Sequence, residues 1–455
     1  MNALKNTTQK SPTFYISHGH KPIAAHANGI YITANDGKRY LDGCSGAAVV
    51  QVGHSHPAVL AAMHEQIDQL QFSYRTQFEN QPAIDLGYKI VAHMPPGLDR
   101  VFFVSGGSEA VESAMKLVRQ YHFHRGEHER TIFISRLPSY HGSTLGALSL
   151  TGYQPLQKPF EGTYQLYPKI PSPTQYRIPE GHTAESHAIA CANELETNIL
   201  AIGAHRIAGF VVEPIGGAST GAEVPHNSYF PRIQAICKQY GIPLILDEVL
   251  CGVGRTGRWL AADYWQIDAD VICLAKGLGA GYAPLAAIVA KDEMVETVLS
   301  NGGFMHGFTY AGNPLACAAG CAVLDVIDNE GLVENAAKQG EYLLAQLQQL
   351  SERFDWIGDV RGRGLLLAIE FADKASKTPL PNDWKVSQTI TDMAYDEGLL
   401  VYPRKSLNGI AGDHILIAPP LIITHAQCDE LLGLLTKALT TFDTHYQKIA
   451  QNNPK

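Results

Sequence analysis

Lys276 stands in Val271-Ile-Cys-Leu-Ala-Lys-Gly-Leu-Gly-Ala-Gly281, where an apolar run ends on a lysine and a glycine-rich turn follows. Upstream, the apolar run Pro243-Leu-Ile-Leu ends on Asp247, with Glu248 and Val249 next. Two buried-strand patterns thus deliver an amine and a carboxylate to the same end of a sheet. Burial disfavours an ammonium, so a lysine at an apolar strand end has a lowered pKa and a nucleophilic amine. A carboxylate beside it suits a protonated pyridine nitrogen. That pairing is what pyridoxal 5'-phosphate chemistry needs.

Three other strand ends carry polar groups. Val101-Phe-Phe-Val-Ser105-Gly-Gly-Ser108 reads as strand, tight turn and helix. Free N–H groups at such a helix start, aided by the helix dipole, face an anion. Gly107 and Ser108 are therefore candidate phosphate contacts, although the segment alone is equally a plain strand-to-helix loop. Tyr140, in Ser139-Tyr-His-Gly-Ser143, could stack on a flat heterocycle or simply pack. Glu213, after Val211-Val212, could orient a cofactor hydroxyl or cap a helix.

Such groups need a sheet to hold them. Between about residues 100 and 330, apolar runs at Val101, Thr131, Ile207, Pro243, Val271 and Leu285 alternate with helical patterns, as at 109–121 and 228–240. Runs apolar on both faces indicate a parallel sheet covered by helices, and open α/β sheets bind ligands at the carboxyl ends of their strands. A helical, alanine-rich stretch follows Asn313-Pro314. Beyond it come a strand at 364–371, a helix near 384–397, short strands near 399–402 and 414–418 and a helix near 425–440, a pattern of a smaller α+β domain. The segment around Asp36-Gly37 reads as a hairpin joining that domain. The expected division is an N-terminal segment, 1–70, that joins the small domain, a large cofactor-binding domain, 71–328, and the C-terminal small domain, 329–455.

Composition narrows the function. The 455 residues are 45% hydrophobic and 17% charged with a net charge of −9, which disfavours nucleic-acid binding. No apolar stretch approaches the about 20 residues of a membrane span. Met1–Lys10 has no apolar segment and reads as polar, loose chain rather than a signal peptide, as do the last ten or so residues. Eight singly spaced cysteines, with no C-x-x-C, indicate neither a zinc site nor a disulfide framework, and a cytoplasmic location is expected. Gly277-Leu-Gly-Ala-Gly281 lacks the dinucleotide fingerprint, Ser113-Ala-Met-Lys116 lies within a helical pattern, and the histidines at 122–128 read as a helix end rather than a metal site.

Taken together, Phe103-Val-Ser-Gly-Gly-Ser-Glu-Ala110, Tyr140-His-Gly, Val212-Glu-Pro214, Leu246-Asp-Glu-Val249, Gly252-Val-Gly-Arg-Thr-Gly257, Ala275-Lys-Gly-Leu-Gly-Ala-Gly281, His306-Gly-Phe-Thr-Tyr-Ala-Gly-Asn-Pro314, Arg361-Gly-Arg-Gly-Leu and Ala418-Pro-Pro-Leu resemble a class III (omega) aminotransferase of the pyridoxal-phosphate-dependent fold-type I superfamily. The resemblance spans about residues 14–440. It implies an α/β fold with a mostly parallel central sheet and a small α+β domain built from both chain ends. Lys276 would form the internal aldimine and shuttle the proton, and Asp247 would hold the pyridine nitrogen. Val249 and Tyr140 would flank the ring, with His141 and Glu213 beside it. Gly107 and Ser108 would hold the phosphate, and Thr309 would reach the phosphate of the neighbouring subunit of a homodimer. Amino groups would pass from an amine or omega-amino acid to a keto acid such as pyruvate or 2-oxoglutarate. An ammonia-lyase of the same fold, acting on a small anionic amine such as a phosphonate or phosphate-bearing one, would use the same lysine and aspartate. A non-catalytic cofactor-binding protein would lack reason to keep them all.

Two departures bear on substrate. Leu41-Asp-Gly-Cys-Ser-Gly-Ala47-Ala48 lacks the tryptophan that many amine transaminases carry there, leaving Ala48 as a candidate substrate contact. Arg404-Lys405 follow Tyr402-Pro403, where small residues are usual. Those cations could bind a carboxylate, sulfonate or phosphonate, or form a solvated turn.

Overall fold

The computed structural model describes residues 13–14 and 21–452. The readings of Met1–Lys10 lie outside them. Near the N-terminus, β1 (Ala24–Asn28), β2 (Tyr31–Ala34) and β3 (Arg39–Asp42) form an antiparallel meander. The β2–β3 turn uses Gly37 at φ +87°, and Asp36 accepts a hydrogen bond from the Lys38 amide. A left-handed glycine and an aspartate acceptor are the chemistry such a tight turn requires.

The central sheet comprises β4 (Leu98–Val104), β5 (Ile132–Leu137), β6 (Lys169–Pro171), β7 (Ile207–Val212), β8 (Leu244–Asp247), β9 (Val271–Leu274) and β10 (Ala286–Lys291), in the order β4-β10-β9-β8-β7-β5-β6. Every residue of β7, β8 and β9 is buried, as strands covered on both faces must be. β10 departs from the expected parallel arrangement and runs antiparallel to both β9 and β4. The reason is the short connection that carries Lys276, a single turn and loop with no crossover helix. A parallel return needs about a dozen residues or more, usually with a helix.

The helix Gly107–His124 packs on β10, β9, β7 and β4, while Ala184–Ile202 packs on β6 and against Tyr229–Tyr240. Each fully buried Ile, Leu or Phe beneath them contributes roughly 1.5–3 kcal/mol. Asn313 caps the helix Pro314–Asn329 by accepting from the Ala316 amide, with proline at its first position.

The remaining sheet lies in the C-terminal part. β11 (Ile357–Arg363), β12 (Leu366–Phe371), β14 (Tyr402–Leu407) and β15 (Ala411–Ile417) form one sheet, while β13 (Leu399–Leu400) pairs in parallel with β3. The hairpin from the chain's start is thus stitched to its end. The last helix runs from His425 to Asn452, longer than expected, so the terminal residues through Asn452 are helical rather than loose. No helix among the described residues is long and apolar enough to cross a membrane.

Candidate active site

β4, β5, β7, β8 and β9 point their carboxyl ends the same way, and a cavity of about 430 Å³ opens there. Gly107, Ser108, Tyr140, His141, Glu213, Asp247, Val249 and Lys276 all line it. Residues dispersed through the sequence therefore converge because each terminates or follows a strand of one sheet.

Lys276 directly follows β9 and Ala275, and takes a left-handed conformation at φ +42°. Its carbonyl accepts from the amides of Gly279 and Ala280, which closes the turn. Burial pushes its pKa down to about 8, against the opposing pull of Asp247 and Glu213. The amine is thus available as a base and nucleophile not far above neutrality.

Asp247 ends β8. Its Oδ2 lies 2.8 Å from His141 Nδ1, and its Oδ1 accepts from the Val249 amide at 3.1 Å. Both side chains of the Asp247–His141 pair are buried. Glu213 is held by the Gly217 amide at 3.0 Å and the Tyr140 amide at 3.3 Å, and burial raises its pKa. The helix Gly107–His124 begins at the cavity wall beside Val249. Ser108 Oγ accepts from the Ser143 amide at 3.0 Å, and Glu109 accepts from that of Ser105. A Cβ at Gly107 would sit 2.9 Å from Val249 Cγ1, so glycine lets the helix start approach the cavity wall.

These groups fit pyridoxal phosphate. The helix start supplies amides for a dianion, Asp247 a counter-charge for a pyridinium, and Lys276 an amine for the carbonyl. His141 Nε2 is buried with no partner in the protein, and the cavity volume suits a cofactor.

Other expectations fall elsewhere. Ala48 is buried off the cavity, and its neighbour Val49 lines it instead, because the chain turns through positive φ at Ser45, Gly46 and Ala48. Arg404 and Lys405 lie within β14 rather than past a strand end, in register with His414 and Asp413. Strand alternation sends them to opposite faces. Arg404 covers the Tyr402 ring and bonds its hydroxyl. Lys405 pairs with Asp413 at 3.6 Å and Asn382, which removes it as a free anion contact. Thr309 is exposed in the loop before Pro314 and does not line this chain's cavity. Ile215, Ala218, Leu250 and the segment Gly281–Leu285 line it unforeseen. Only for the last was there a sequence signal, its position immediately after the lysine turn. Among the described residues no cluster could hold a metal ion, and His122 is engaged by Glu127 and the Ala208 carbonyl.

The fold and site define a pyridoxal-phosphate enzyme of fold-type I. The sequence model described as Aminotransferase class-III matches residues 15–439, and the chain belongs to that family. It is 39% identical to an uncharacterized aminotransferase, YodT, of Bacillus subtilis (strain 168), over 94% of this chain and 97% of the relative. It is 33% identical to putrescine–pyruvate aminotransferase of Pseudomonas aeruginosa, over 92% and 90%. The solved structure of an amine transaminase from an uncultivated Pseudomonas species, in its pyridoxal-phosphate-bound form, superposes with a TM-score of 0.87 at 35% identity, over 96% of this chain and 99% of that one. The chain is a pyridoxal-phosphate-dependent aminotransferase.

Proposed function

We propose that the amino group moves from an amine or omega-amino acid to a keto acid such as pyruvate or 2-oxoglutarate, with the residues in the roles expected of them. The observation that carries this reading is the convergence of Lys276, the Asp247–His141 pair and the start of helix Gly107–His124 on one cavity. Bound pyridoxal phosphate supplies a carbonyl for the amine nitrogen and a ring that accepts the electron pair of the broken C–H bond. Lys276, whose pKa burial lowers to about 8, would take the proton from the substrate carbon and later give it back. Asp247, oriented by His141, keeps the pyridine nitrogen protonated. Val249 and Tyr140 would flank the ring, Glu213 would stand beside it, and Gly107 and Ser108 would hold the phosphate.

The unit is a homodimer in which Thr309 reaches the phosphate held by a second copy. In support, segments 71–80 and 306–313 are joined by Asn80 to the Gly312 carbonyl and Asn313 to that of Gln71. On that joint surface Phe78 and Tyr310 are each 67% exposed, a large apolar area for a soluble monomer to leave open. Arg404 reads an anionic group on donor or acceptor. The domain boundaries at about 70 and 328, and a cytoplasmic setting, complete the reading.

A screen of amines and omega-amino acids against pyruvate and 2-oxoglutarate tests it. Product that requires the keto acid supports transfer, while keto product without any acceptor would indicate elimination.

A further inference from the structure

Arg255 is the largest charged side chain buried in the fold, with no exposed surface. Its guanidinium meets only neutral acceptors. Nη1 donates to the carbonyls of Leu365 at 3.1 Å and Pro419 at 2.5 Å, and Nη2 donates to Gln51 Oε1 and, at 3.5 Å, to Ser45 Oγ. Among the described residues no carboxylate lies within ion-pair distance. Asp42 is the nearest acidic influence, and its oxygens are taken by His54 and the amides of Cys44 and Gly46. A guanidinium buried without a counter-ion is costly, and burial pushes its own pKa down to about 9.

Its position supplies a reason. Gln51, which it holds, donates to the Val253 carbonyl at 3.0 Å. The Gln51 side chain lies flat on the turn after Lys276. A Cβ at Gly277 would come within 2.5 Å of Gln51 Nε2 and 2.7 Å of its Cγ. Arg255, Gln51 and Gly277 are therefore stacked in sequence behind the lysine. Four charged or titratable groups act on Lys276. Burial opposes its proton most strongly and Arg255 adds to that, while Asp247 at the end of β8, Glu213 after β7 and Cys251 favour it. His141 engages Asp247 from the other side.

We propose that Arg255 is a positioning residue for Lys276: through Gln51 it braces the left-handed turn that presents the amine, and it sets a positive charge with no carboxylate partner behind that turn. This rests on Lys276 as the point of cofactor attachment, which borohydride reduction and peptide mapping check separately.

The test is a pH titration of the visible absorbance of the cofactor-loaded enzyme, compared among wild type, Arg255→Gln, Arg255→Lys and Gln51→Glu. Removing a nearby positive charge favours the protonated nitrogen, so Arg255→Gln should raise the midpoint by about one pH unit or more. Arg255→Lys should restore it to within a few tenths of a unit, which a merely structural role would not do. Gln51→Glu retains the arginine but supplies the missing counter-charge, and it too should raise the midpoint. It decides the matter if Arg255→Gln is not recovered folded. An unchanged midpoint in a folded Arg255→Gln or Gln51→Glu variant, or equal shifts for Arg255→Gln and Arg255→Lys, would overturn the proposal.

Discussion

His141 Nδ1 lies 2.8 Å from Asp247 Oδ2, with both side chains buried at the carboxyl end of the central sheet. The contact joins the loop after β5 to the end of β8 and fixes the direction in which the carboxylate points. Opposite charges at about 4 Å interact by roughly 4 kcal/mol at an effective dielectric of 20. At ~1.4 kcal/mol per tenfold, losing that interaction with a pyridinium slows turnover about a thousandfold. Asp247→Asn should accordingly bind cofactor but be nearly inactive by steady-state kinetics. Retention of a tenth of wild-type kcat would count against the assignment.

Lys276→Ala should bind cofactor without a covalent link and lose at least about 10²–10⁴-fold in rate, the range that general acid–base catalysis provides. Borohydride reduction followed by peptide mapping should place the cofactor on Lys276 in wild type and nowhere in the variant. A label on another lysine would remove Lys276 from the mechanism.

Burial of Lys276 also makes a pH-dependent stability difference. Its pKa falls from 10.5 to about 8 on folding, so the unfolded chain binds more protons between those values. The cost of burying this lysine is therefore full below about pH 8 and is relieved as pH rises towards 10.5. In cofactor-free protein, Lys276→Met should be more stable than wild type by roughly 3 kcal/mol at pH 7, given ~1.36 kcal/mol per pKa unit. The gap should narrow as pH rises from 8 to 10. Urea unfolding of both proteins at several pH values checks this, and a constant gap would contradict it.

Arg404 lies over the Tyr402 ring with its guanidinium exposed. Two charge-assisted hydrogen bonds to a carboxylate contribute about 1.5–3 kcal/mol, so Arg404→Ala should raise KM for anionic substrates at least about tenfold. Neutral amines should be nearly unaffected. Equal changes for both classes would make Arg404 a surface residue only.

Thr309→Ala should weaken cofactor retention by about tenfold or more, the effect of losing one hydrogen bond to a charged group at ~1.5–3 kcal/mol. Sedimentation should still report a dimer, and dilution of wild type to monomer should release cofactor and activity together. A monomer that keeps both would refute the shared site.

The sequence by itself determined which strand ends carry polar side chains. Lys276, Asp247 and Glu213 were legible because each follows an apolar run that is buried throughout, and Tyr140 and Ser108 because each follows an apolar run and lies at a glycine-containing turn. The Asp36-Gly37 hairpin was legible for a similar reason, since turn chemistry is local. Only the tertiary structure decided features that depend on partners distant in sequence. The reversal of β10 follows from how the lysine turn closes against β9 and β4. Register with β15 sends Lys405 to Asp413 and leaves Arg404 on Tyr402. Val49 replaces Ala48 at the cavity because a succession of left-handed residues redirects the chain there. Arg255 gains its place behind Lys276 through Gln51, Leu365 and Pro419, three residues that no local pattern brings together. Periodicity reports which side of an element is buried, but long-range packing alone selects what it is buried against.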